Sequence, residues 1–266
     1  MSLFLPLVAA SLAADPEFSE TDKSLTEEPT REAKLSAEAG ASWTTGNTDF
    51  YTGQGTLMGS YRWNANKVGA QAGALYGKGI ADGNADGLLD EDERKVGRVE
   101  NARRFYADAR YDRFLNDMNS IYVLGGALQD RFAGYDLRTH EQLGYSRVLV
   151  KTDRTNAVAE IGIDFAQENY VAGIDPNSAN IIAGRAMLGF SHAFNERVGF
   201  AEQVEVYENV LDFQDLRVLN TASLNVGLSD KLSLKFSHQL LFDNVPVTGF
   251  QKLDQTTMAT LVASIL

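Results

Sequence analysis

The sequence predicts an all-β protein: an antiparallel transmembrane β-barrel of about twelve strands, with both termini on the periplasmic side. Three observations carry that prediction. From Lys34 to Leu266 the chain breaks into stretches of alternating apolar and polar residues, each closed by a turn. Successive side chains of a strand point to opposite faces, so each stretch has one oily and one wet face. There is no run of about eighteen apolar residues, so no segment reads as a membrane-spanning helix. The mean hydropathy of -0.22 suits a barrel, in which every second residue is polar. Finally, the connections alternate between minimal turns and longer loops, as in barrels with one short-turn rim.

The elements follow in order. The first strand, from Lys34 to Thr44, sets Leu35, Ala37, Ala39, Ala41 and Trp43 against Ser36, Glu38, Gly40 and Ser42. The second, Phe50 to Trp63, ends in Tyr61 and Trp63 on one parity, placed for an interfacial aromatic girdle. A third runs to about Lys78, before an acidic insertion. The fourth, Arg98 to Phe114, turns Phe105, Ala107, Ala109 and Tyr111 outward and Tyr106, Asp108, Arg110 and Asp112 inward. The fifth (Ser120 to Arg131) and sixth (Leu137 to Lys151) flank Ala133-Gly134-Tyr135-Asp136. The seventh sets Ala157, Ala159, Ile161, Ile163 and Phe165 against Glu160, Asp164 and Glu168. The eighth sets Ile182, Ala186, Leu188 and Phe190 against Arg185, Met187 and Ser191. The ninth (Val198 to Val210) is the least regular, because Glu202 and Glu208 share parity with Val204 and Val206. The tenth (Val218 to Leu228), eleventh (Leu232 to Asp243) and twelfth (Asp254 to Leu266) alternate again.

Alternation alone does not say which face is wet, and a soluble barrel or sandwich would turn the oily parity inward. Strand lengths suited to crossing a bilayer at a tilt, aromatic residues toward strand ends, and charges of both signs on the polar parity favour the membrane. Short turns such as Asn64 to Asn66 and Ser229-Asp230 then lie in the periplasm. Ala172 to Ser178 and Val245 to Gln251 lie outside the cell. Ahead of the barrel, residues 1–14 read as an export-signal remnant, with Ser11-Leu12-Ala13 fitting small-x-small cleavage. Residues 15–33 read as an acidic, flexible leader.

Composition narrows function. The chain of 266 residues has no Cys, which excludes disulfide scaffolds and thiolate metal sites. A net charge of -12 without a basic stripe excludes nucleic acid as a partner. The expected partners are outer membrane lipid and, during insertion, the barrel-assembly machinery, with the protein a monomer. The three histidines, His140, His192 and His238, have no nucleophile placed beside them on their own face, because Ser191 and Ser237 are strand neighbours pointing the other way. No phosphate loop, histidine metal motif or nucleophile elbow occurs, so no catalytic residues are expected.

One motif names a chemical partner. Asp82-Gly83-Asn84-Ala85-Asp86-Gly87-Leu88-Leu89-Asp90-Glu91-Asp92-Glu93 has the pattern of a twelve-residue calcium loop. Calcium takes six to eight oxygens. Asp82, Asn84 and Asp86 would offer side-chain oxygens, Leu88 its carbonyl, Asp90 a water-mediated contact and Glu93 a bidentate carboxylate. Gly87 permits the sharp turn. The flanks read as strands, so the expectation is a lone Ca2+ loop, outside the cell, in an insertion spanning 82–93.

The strings Gly46-Asn47-Thr48-Asp49, Arg110-Tyr111-Asp112-Arg113-Phe114-Leu115, Asp130-Arg131-Phe132-Ala133-Gly134-Tyr135-Asp136, Leu228 through Lys235 and Asp243-Asn244-Val245-Pro246 resemble, in this order, the DUF481 family of salt-induced outer membrane proteins. The resemblance covers about Lys34 to Leu266 and implies an outer membrane β-barrel without a characterised activity or catalytic residues. The chain departs from the family pattern in ending Ser264-Ile265-Leu266 rather than in an aromatic residue, and in the acidic insertion. The inward parity carries Glu38, Arg62, Asp108, Arg110, Asp112, Glu160, Asp164, Glu168, Arg185 and Lys235. These either line a pore for small polar or cationic solutes or pair across a narrow lumen and plug it. Two functions therefore stand: a structural or narrow-pore barrel, and a channel or transporter. An outer membrane lipid hydrolase is a distant third.

Overall fold

The computed structural model describes residues 31–44, 49–80 and 90–265. Twelve strands form a closed barrel in which each strand pairs antiparallel with its sequence neighbours and β12 closes onto β1. The strands are β1 (Arg31–Thr44), β2 (Phe50–Trp63), β3 (Asn66–Gly79), β4 (Val99–Asn116), β5 (Asn119–Asp130), β6 (Tyr135–Lys151), β7 (Thr155–Tyr170), β8 (Ser178–Ala193), β9 (Val198–Asn209), β10 (Leu216–Gly227), β11 (Leu232–Asp243) and β12 (Leu253–Ser264). The even count brings both ends of the barrel to the rim that carries the short turns. β1 begins at Arg31, inside the stretch read as leader, because residues Arg31 to Ala33 extend the ladder to Trp63, Arg62 and Tyr61. The expected signal remnant and the rest of the leader lie outside the described residues.

The parities fall as expected, and the oily one faces out. Ile161 is 64% exposed whereas its neighbour Glu160 is 2% exposed. Such an inside-out distribution leaves a belt of Leu, Ile, Val and Phe that water would disfavour and hydrocarbon would not. Toward the short-turn rim, Tyr61 stacks on Trp63, which in turn meets Tyr111. These rings form the expected aromatic girdle, with the Tyr111 hydroxyl donating to Asn66.

The insertion after β3 holds a short helix, α1 (Glu91–Val96), where the flank was expected to continue as strand. The reason is local. Asp90 is the N-cap, accepting from the Glu93 amide at 2.9 Å, and the Glu93 carboxylate accepts from the Asp90 amide at 3.1 Å. This capping box satisfies two amide donors at the helix start, and acidic residues in the first turn and basic ones in the last complement the helix dipole. Among the candidate calcium ligands, Asp82, Asn84, Asp86 and Leu88 lie outside the described residues.

Candidate functional site

The lumen is where the polar chemistry gathers. All ten predicted inward residues take that parity, and the structure joins most of them into ion pairs. At its centre, Glu160 on β7 receives two guanidinium groups. Arg110 reaches it from β4 (Nη2 to Oε1 2.7 Å) and Arg185 from β8 (Nη1 to Oε2 2.9 Å). Arg110 also holds Asp112 at 2.8 Å, and Arg185 holds Glu205 on β9 at 2.7 Å. Tyr122, from β5, lies beneath both cations. Arg110 stacks over its ring at 4.0 Å, and Arg185 donates to its hydroxyl at 2.7 Å. The ring has room because the facing positions are glycine: a side chain at Gly144 would collide with it. β4 and β7, like β5 and β8, are three strands apart, so these contacts cut across the lumen rather than follow its wall.

Two further tiers flank this centre. Toward the long-loop rim, Arg217 on β10 donates to Glu168 on β7 at 2.6 Å and pairs with Asp215 and Asp243 at 3.2 Å each. Arg138 shares Glu168, and Arg104 faces Asp130. Elsewhere in the lumen, Lys235 on β11 donates to Glu38 on β1 at 2.9 Å, and Arg62 stacks over the Phe114 ring at 4.6 Å. Apolar groups also cross. Met258 of β12 packs with Leu75, Ala102, Tyr106 and Leu128 of β3, β4 and β5. The side chains of Glu160 and Glu168 are 0% exposed and that of Lys235 is 1% exposed, so water does not reach them. A less buried inward group is the trio Asp108, His140 and Arg138. His140 Nε2 lies 3.1 Å from Asp108, and both side chains keep about a quarter of their surface.

The long-loop rim is covered from one side to the other. The loop joining β11 to β12 buries Val247 to 7% exposure. Val247 sits against Gly134, in the turn between β5 and β6, half-way round the barrel. Gly134 has φ +90°, and a Cβ there would lie 2.9 Å from both Val247 and Phe250. Only glycine takes that backbone and leaves that space. The loop therefore spans the mouth.

Residues that sequence reasoning did not single out complete the lumen network: Arg104, Tyr122, Asp130, Arg138, Glu205, Tyr207 and Arg217, joined by His140, expected only as a non-catalytic histidine, and by Asp243 of the eleventh strand's polar parity. Their signal was parity alone, which each shares with a predicted neighbour. On the outer face, His238 and Thr257 hydrogen-bond across β11 and β12 at 2.9 Å, and His192 does so with Thr155 at 2.9 Å. Ser237 points into the lumen and is buried, so the nearest serine is not presented to His238. Among the described residues, no three His, Asp or Glu side chains converge as a metal-binding group.

Comparison with known proteins agrees with this architecture. The NanC porin is similar in fold, with a TM-score of 0.51 at 12% identity, covering 88% of this chain and 100% of that one. The KdgM porin (TM-score 0.47, 8% identity, 88% of this chain and 100% of that one) is less similar. So is the COG4313 outer membrane channel from Pseudomonas putida F1 (TM-score 0.46, 11% identity, 94% and 100%). At such identities the likeness concerns the fold alone. No curated protein sequence matches the chain. The family model described as a protein of unknown function, DUF481, matches residues 37–265, and the chain belongs to that family.

Proposed function

We propose that the protein is an outer membrane barrel with an occluded lumen, serving a structural role rather than bulk diffusion. The observation that carries this reading is the buried central bridge from Arg110 through Glu160 to Arg185 and Glu205, tied across the lumen by the Arg110–Glu160 and Arg185–Tyr122 contacts, each of which spans three strands. The loop over the mouth adds a second closure. Twelve strands make a barrel intermediate between filled eight-strand barrels and wide porins, so side chains of this length suffice to fill it. Planar-bilayer recording of the refolded protein tests the reading. The expected result is no regular ohmic steps; porin-like steps in correctly folded protein would overturn it. The half-open Asp108, His140 and Arg138 favour a second reading, a narrow path for small polar or cationic solutes. In that case small cation-selective steps appear and weaken on Asp108→Asn.

The acidic insertion is proposed to bind Ca2+ outside the cell, through Asp82, Asn84, Asp86, Leu88, Asp90 and Glu93. The capped start of α1 supports this, since it puts Asp90 and Glu93 together at the end of the motif. Affinity is expected near 0.1–1 mM, on the order of extracellular sites. Titration of the folded protein with Ca2+ should raise the melting temperature, and Asp82→Ala with Glu93→Ala should abolish the rise. A flat wild-type response would remove calcium from the account.

A further inference from the structure

Four consecutive strands each interrupt an apolar outward row well inside its ends; Glu208 on β9 and Gln255 on β12 add polar residues nearer the long-loop rim. On β9 the row Val198, Phe200, Val204, Val206 is broken by Glu202. On β10, Val218, Ala222, Leu224 and Val226 are broken by Asn220. On β11, Leu234, Phe236, Leu240 and Phe242 are broken by His238, and on β12 Ala259 and Leu261 are preceded by Thr257. The four interruptions lie near the middle of their strands and are adjacent. Asn220 donates to Glu202 at 3.0 Å, and His238 and Thr257 hydrogen-bond at 2.9 Å. The outward rows of β1, β2 and β3 carry no such break between their ends; on β6, Glu141 follows Thr139, which pairs in register with Gln167 nearer the long-loop rim.

Hydrocarbon offers no hydrogen-bond partner, and an acidic side chain near mid-depth is costly there. Two neighbouring hydrogen-bonded pairs on a lipid-facing wall, one of acid and amide and one of imidazole and hydroxyl, therefore call for a polar cover. The arrangement also has a symmetry. Glu202 pairs in register with Ala222, and Ala222 with His238, so the carboxylate and the imidazole flank a small residue on one row, one strand to either side. A two-fold axis along the membrane normal, passing in front of Ala222, sets the carboxylate of each copy on the same side as the imidazole of the other, offset in depth by the strand tilt so that the long side chains must span the difference. It also brings alanine to alanine, where two walls can approach closely.

We infer that the wall formed by β9 to β12 is the contact face of a two-fold dimer, with a second copy of this chain as the occupant. The proposal departs from the monomer expected from the sequence alone.

The absence of Cys makes the test direct. Ala222→Cys and, on the opposite wall, Ala107→Cys are refolded into phospholipid vesicles and oxidised mildly, with heat-modifiable gel migration confirming that each variant is folded. Ala222→Cys should give a covalent dimer and Ala107→Cys should not. Adding Glu202→Ala and His238→Ala to Ala222→Cys should lower the dimer yield about ten-fold at fixed protein density, as for loss of roughly one to two interhelical-type hydrogen bonds in a bilayer. Equal cross-linking at positions 222 and 107, or a yield unchanged by the two alanines, would overturn the proposal.

Discussion

Glu160 shows how much a single residue carries in a barrel interior. It accepts from two guanidinium groups that also hold Asp112, through Arg110 Nε and the shared Nη2, and Glu205, through Arg185 Nε. Removing one member of a buried ion pair is far more damaging than never having had the pair, because the remaining charges stay buried without compensation. Glu160→Ala should therefore destabilise the barrel by about 3–5 kcal/mol, read as a lower temperature for loss of the fast-migrating folded band on gels. Exchanging an exposed surface pair, such as Lys95 with Asp92, should move it by less than about 1 kcal/mol. Equal effects would mean that the lumen is more hydrated than the geometry implies. Glu160 was legible in the sequence as an inward carboxylate; its two partners were legible only as inward arginines on other strands.

The strands differ in how firmly they are held. β1 pairs with β2 along its whole length, from Arg31 to Thr44. Its ladder with β12 covers only Ser36 to Ala39, facing Ser264 to Leu261, with one further bond from the Ile265 amide to the Leu35 carbonyl. The seam is thus zipped near the short-turn rim and thins toward the long loops. Local opening follows the density of such bonds. Amide exchange of the folded protein in detergent should be at least about ten-fold faster for the β12-facing amides of Gly40 to Trp43 than for the centres of β6 and β7. Uniform protection around the barrel would contradict this. Strand positions were legible to within two or three residues because alternation ends where turns begin. The helix α1 was not expected although its capping residues, Asp90 and Glu93, stand three apart in the sequence, because the same two residues also fit the end of the calcium pattern.

At the scale of the whole molecule, two closures lie in series: the central ion network and the loop carrying Val247 across the mouth. A path is limited by its narrowest part, so removing one closure leaves the other in control. Shortening the loop between Asn244 and Gln251 should leave bilayer conductance near that of the wild type. The same change combined with Arg110→Ala, Glu160→Ala and Arg185→Ala, provided that the variant folds, should open it. A loop deletion that conducts by itself would place the gate at the mouth. The proposed dimer belongs to this scale too, because no strand has the complementary face alone. Four adjacent strands must be in register before Glu202 and His238 flank Ala222.

What the sequence determined by itself was everything with a period of two: where the strands run, which face of each is oily, which charged residues look inward, and that the chain closes as a membrane barrel. Those properties are local, set by a residue and its neighbours along the chain. Which arginine meets which carboxylate, which loop crosses the mouth, and which polar residues join on the outer wall were decided only by the tertiary structure. They depend on strand register and on barrel closure, which bring together residues about fifty positions apart or more, such as Arg110 and Glu160, Arg217 and Glu168, or Lys235 and Glu38. No local period encodes those distances.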